Sequence, residues 1–107
     1  MDAIDTTLRL RVKYFPDGGK DVKHPNLGYL FRAHEAERII GKYHLDNGAG
    51  FEDISSILQY EDTRNFGLAA HHADFVDVII IRGRGTDSKK VANRYDFTNR
   101  KISNFIV

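Results

Sequence analysis

The chain has 107 residues, 41% hydrophobic and 29% charged, with a formal net charge of +1 and no cysteine. That length supports one modest core, the composition excludes wholesale disorder, and the lack of Cys excludes disulfides, thiolate metal sites and cysteine nucleophiles. The N-terminal MDAIDTTLRLRV has neither a basic nor an apolar leader segment, and the longest apolar run, Val78 to Ile81, is far too short to span a bilayer. The expectation is a cytoplasmic protein, one globular domain over residues 1–107, with no membrane partner.

Residues Thr7 to Tyr14 alternate strictly, Leu8, Leu10, Val12 and Tyr14 against Arg9, Arg11 and Lys13, the period of a half-buried strand. Pro16-Asp17-Gly18-Gly19 is turn chemistry. From Leu30 the apolar residues Phe31, Ala33, Ala36, Ile39, Ile40 and Tyr43 recur every three or four positions, predicting a helix through most of 29–46 that stops at Asn47-Gly48; Leu30 and Phe31 also fit a short preceding strand. Phe51, Ile54, Ile57 and Leu58 mark a second helix with Glu52 and Asp53 in its first turn, where acidic groups complement the helix dipole.

Residues 61–71 have no clear period and read as a polar connection. Phe75 to Arg82 is apolar at odd and even positions together, which predicts an internal strand buried on both faces. Gly83 to Lys90 reads as a polar loop, followed by strands over 93–98 and 101–107 joined by a tight turn at Asn99-Arg100, with Asn99 expected to take positive φ. The predicted order is β-α-α-β-β-β. It describes an α+β fold with about four strands in a mainly antiparallel sheet and two helices on one face.

Charge is unevenly placed. Residues 1–34 balance at +2, residues 35–77 at −6, and residues 78–107 at +5, with Arg82, Arg84, Lys89, Lys90, Arg94, Arg100 and Lys101 against Asp87 and Asp96. Such asymmetry suggests an anionic partner, nucleic acid first, met by those seven cations. In the loop Arg82-Gly83-Arg84-Gly85, glycines admit a phosphate close to the backbone and Arg forks match its oxygens. Tyr95 and Phe97 share a strand face, where they suit either base stacking or core packing.

Two groups of residues suit other chemistry. His34 and Arg38, one helical turn apart, together with His72 and Arg82, form the candidate catalytic set of a metal-independent endoribonuclease, Arg stabilising charge on the phosphate and His moving a proton. The pattern His34-x-x-x-Arg38-Ile39, then Gly50-Phe51-Glu52-Asp53-Ile54, then strands, resembles the layout of small bacterial ribonuclease toxins such as barnase and the colicins, which place helices before an antiparallel sheet. The N-terminal strand departs from that layout. On a strand, His71 and His72 point to opposite faces, so they and Asp74 supply too few converging ligands for a metal, and neither metal nor cofactor is expected. The acidic middle, including Glu52, Asp53, Glu61 and Asp62, is the working face of a third reading, a protein-directed inhibitor or antitoxin-like partner.

Overall fold

The computed structural model describes residues 7–16, 27–61 and 73–105. The elements are β1 (Arg9–Pro16), β2 (Leu27–Arg32), α1 (Ala33–Lys42), α2 (Phe51–Tyr60), β3 (Ala73–Arg82), β4 (Lys89–Asp96) and β5 (Lys101–Phe105), with a 3₁₀ turn at Gly85–Asp87. All strand pairs are antiparallel and the order is β2-β1-β3-β4-β5, an α+β arrangement with β3 at the centre.

The sheet has one strand more than the sequence pattern suggested. Residues Leu27–Arg32 extend rather than coil because β1 offers them a ladder: Phe31 pairs with Leu10 and Tyr29 with Val12. Phe31 is thereby buried beside the helices. The chain turns from β2 into α1 at Ala33, which takes φ 50° and donates its N–H to the Leu8 carbonyl at 2.8 Å.

The first helix ends four residues short of the expected 46. His44 adopts the left-handed conformation (φ 58°), its N–H bonding the Gly41 carbonyl while that of Leu45 bonds the Ile40 carbonyl. This reciprocal pair is a Schellman motif, closed by the buried Leu45. At the start of α2 the Gly50 N–H donates to Asp53 Oδ2 at 2.8 Å, so Asp53 both caps the helix and complements its dipole.

Both helices lie on one face of the sheet. Ala36, Ile39 and Ile40 of α1 and Ile54, Ile57 and Leu58 of α2 share a core with Leu10, Val12, Tyr14, Phe31, Val76, Val78, Ile80 and Tyr95. The Tyr95 hydroxyl satisfies the Ala49 carbonyl at 2.9 Å, fastening β4 to the chain between the helices. Tyr95 and Phe97 both serve this layer, Phe51 meeting their rings edge-on at 5.5 and 5.1 Å. The hairpin at 97–100 also folds toward α2, with the Arg100 guanidinium 4.3 Å from the Phe51 ring centre. Positive φ falls on Arg100 (56°) rather than Asn99, whose N–H and side-chain amide instead donate to Asp96.

The ends of the helices are joined by one carboxylate. Glu61, with its side chain 5% exposed, accepts hydrogen bonds from Arg38 (2.7 Å), Lys42 (3.3 Å) and the Tyr43 hydroxyl. Burial acts to raise its pKa, but the three donors outweigh that effect and hold it at about 2, below its ordinary 4.5. Among the described residues, no helix is long and apolar enough to cross a membrane.

Replacing Ile80, 3% exposed at the sheet centre, by Asp should abolish cooperative folding, because an unpaired buried charge costs several kcal/mol of a total near 5–15. A soluble Ile80→Asp protein with a cooperative thermal transition would contradict that placement. The Glu61 contribution is fully present above about pH 4.5 and is lost as pH falls toward 2; it amounts to roughly 2–3 kcal/mol. Glu61→Gln should therefore be less stable than wild type at pH 7, and its stability should fall less between pH 4.5 and 2. Urea unfolding of both proteins across that range checks this, and parallel pH profiles would refute it.

Candidate functional site

No described element covers the other face of the sheet. Strand alternation and register lay it out as four rungs crossing the strands. The first holds Arg32, Arg9, Ile81 and Lys90; the second Leu30, Arg11, Ile79, Ala92 and Phe105. The third holds Gly28, Lys13, Asp77, Arg94 and Ser103, and the fourth Phe15, Phe75, Asp96 and Lys101. Seven cations thus share this face with two carboxylates.

Arg9, Arg11 and Lys13 form a column along β1, successive side chains being roughly 7 Å apart. Among the described residues none of them, nor Arg32 or Lys90, is paired with a carboxylate. Arg9 instead donates to the carbonyls of Thr7 (3.1 Å) and Gly83 (2.8 Å), while the Gly83 N–H donates to Thr7 Oγ1 at 3.2 Å, tying the β3–β4 loop to the start of β1. Gly83 has φ 92° and a Cβ there would lie 2.9 Å from the Asp87 carbonyl, so this turn requires glycine. The loop rims an open cleft of about 450 Å³ lined by Arg9, Arg11, Lys13 and Lys90 at its sides and Ile79 and Ile81 beneath. A second shallow cleft of about 490 Å³ adjoins Arg11 and Lys13, over the bare Gly28.

Ile79, Ile81 and Ala92 are only 3%, 7% and 3% exposed, although no described helix lies over them. Phe105 packs against them from β5. Among the described residues, Arg9, Arg11, Lys13 and Lys90 flank the same floor, and the methylene stems of such side chains lie along apolar surface while their charged ends stay in water. The face therefore presents charge above a buried apolar floor.

The seven C-terminal cations do not act together. Lys90, Arg94 and Lys101 belong to the open face, and Arg84 lines a smaller cleft of about 260 Å³ with Thr7, Arg9 and Gly85. Arg82 and Lys89 alternate onto the helix side, where Arg82 pairs with Asp46 at 3.3 Å, and Arg100 rests on Phe51. Arg94 is engaged by Asp77, a carboxylate 3% exposed, through Nε to Oδ1 at 2.7 Å and Nη2 to Oδ2 at 2.9 Å. That bond outweighs burial and raises the Arg94 pKa.

Of the candidate catalytic residues, His34 is exposed on α1, Arg38 is bound by Glu35 and Glu61, and Arg82 is committed to Asp46. His71, His72 and Asp62 lie outside the described residues. In the acidic set, Glu52 is exposed, whereas Asp53 caps α2 and Glu61 is turned inward. Among the described residues no three His, Asp or Glu side chains are placed to hold a metal ion.

Arg9, Arg11, Lys13 and Arg32 are absent from the residues that charge counting selected. Their signal was the alternation of β1, which put three cations on one face, combined with the two-faced apolar pattern of β3, which needs a neighbour to cover its second face. No family model, curated protein or solved structure matches the chain.

Proposed function

We propose that the chain is a nucleic-acid-binding module that grips the phosphate backbone with the open face of its sheet. The observation that carries this reading is the column Arg9, Arg11 and Lys13, flanked by Arg32 and Lys90 and free of described carboxylate partners, beside an open cleft. Cations held at regular spacing on a rigid sheet suit a polymer of regularly spaced anions, and their neutralisation releases counterions. At the cleft, the buried floor of Ile79, Ile81 and Ala92 favours a charged partner over an apolar one, because these side chains leave little apolar area there to cover. Binding is favoured over phosphodiester cleavage because His34, Arg38 and Arg82 do not converge on the open cleft, Arg38 and Arg82 facing carboxylates on the helix side instead.

Such binding should weaken steeply with salt. Five phosphate contacts, one for each cation of the column and its two flanks, give a log–log slope of roughly −3.5 on a single strand and −4.5 on a duplex. Arg11→Gln with Lys13→Gln should weaken binding to all sequences alike and flatten the slope by about 1.4 to 1.8. Arg82→Gln with Arg100→Gln, on the helix side, should leave the slope unchanged. Titration of the three proteins against labelled oligonucleotides at several salt concentrations reads both effects. No binding at low salt, or equal loss in both double variants, would overturn the proposal.

A further inference from the structure

Beyond the phosphate-gripping column lies a part of the same face that contributes no net charge. Arg94 and Asp77 neutralise each other there. Around the pair stand Phe15, Phe75 and Phe105, whose ring centres lie 5.1, 5.6 and 5.4 Å from the Arg94 guanidinium carbon. All three rings are partly exposed. The Arg94 side chain remains 43% exposed even though two hydrogen bonds pin its plane. Three aromatic rings and a pinned planar cation thus converge on the open face, next to Lys13 in the third rung. Aromatic faces and Arg planes are the surfaces on which unpaired bases stack.

Resting on the reading of the open face as a nucleic-acid site, we propose that Phe15, Phe75, Phe105 and Arg94 form a base-stacking platform, so that the protein selects single-stranded nucleic acid over duplex. A strand whose phosphates follow Arg9, Arg11 and Lys13 lays its bases toward β3, β4 and β5, where Phe75, Arg94 and Phe105 lie, with Phe15 at the end of the column itself. A duplex keeps its bases stacked on one another and offers the rings only its backbone. Charge alone predicts the opposite preference, because a duplex is the denser polyanion.

The test compares three probes of about 12 nucleotides at one low salt concentration: a single strand, an abasic strand with the same phosphates, and a duplex. The base-containing strand should bind about tenfold or more tightly than the abasic one and more tightly than the duplex. Phe15→Leu and Phe75→Leu, which keep apolar bulk, should lower affinity for the base-containing strand toward the abasic value and leave the abasic value unchanged. Arg11→Gln with Lys13→Gln should weaken both. A strand carrying 2-aminopurine should be quenched on binding wild type and less so on binding the Phe variants. Equal affinity for abasic and base-containing strands, or preference for the duplex, would overturn the platform while leaving phosphate binding standing. Failure of all three probes to bind would overturn the underlying reading instead. The wild-type comparison needs no variant, so it decides the matter even if a Phe substitution disturbs folding.

Discussion

A central strand that is apolar on both faces must be covered twice, and the architecture follows from that constraint. Val76, Val78 and Ile80 are covered by the two helices, while Ile79 and Ile81 face the side where no described element lies. Fully burying a side chain of this size stabilises by about 1.5–3 kcal/mol, too much to forgo. Among the described residues the second side is bordered by Phe105 and by Arg9, Arg11, Lys13 and Lys90, whose apolar stems suit such a floor and bring their charges with them. The cationic face is therefore part of how β3 is buried, and its charge density follows from a packing requirement. Any of these cations could be shortened only by exposing part of the floor.

Two buried carboxylates show how the same molecule treats the opposite charge. Glu61 is surrounded by Arg38, Lys42 and Tyr43 where the helices end, and Asp77 is gripped by Arg94 within the sheet. Each would be costly without its donors and is stable with them. Their consequences differ. Glu61 draws in Arg38 and Lys42 from the helix surface and ties both to the end of α2. Asp77 cancels one cation on the open face, and in doing so fixes a planar guanidinium among three rings.

Much of the fold was legible in the residue pattern, because alternation in β1 and the double-sided apolar run in β3 have few structural solutions. The strand β2 was not, since Leu30 and Phe31 fit the helical period of α1 as well as the ladder of β1, and only pairing with Leu10 and Val12 decides between them. The end of α1 was hidden because a Schellman motif with a non-glycine residue, His44, leaves no glycine signal where the helix stops. The candidate site was half visible. Counting charge along the chain found Lys90, Arg94 and Lys101, but it also gathered Arg82 and Arg100, which the alternation of β3 and the hairpin tip send to the helix side. It missed Arg9, Arg11 and Lys13 because their neighbours across β3 and β4 come from residues 77–94, and only sheet order makes them neighbours.

Sheet order also separates charge between the two layers. Among the described residues, α1, α2 and the turn between them hold five carboxylates against Arg38 and Lys42, a balance of −3, while the open face gathers seven cations against Asp77 and Asp96. A net charge of +1 thus conceals, among the described residues, a strongly basic sheet face and a helical side that is only slightly negative. In the proposed reading a polyanion is drawn to the sheet face rather than to the helical layer, which also holds Arg82, Lys89 and Arg100 and so lacks the excess of positive charge found on the sheet. The carboxylates of the helical layer then matter without contacting the partner, because they offset those cations. On that view the acidic and basic segments are two halves of one orienting field, and the net charge is the quantity least informative about it.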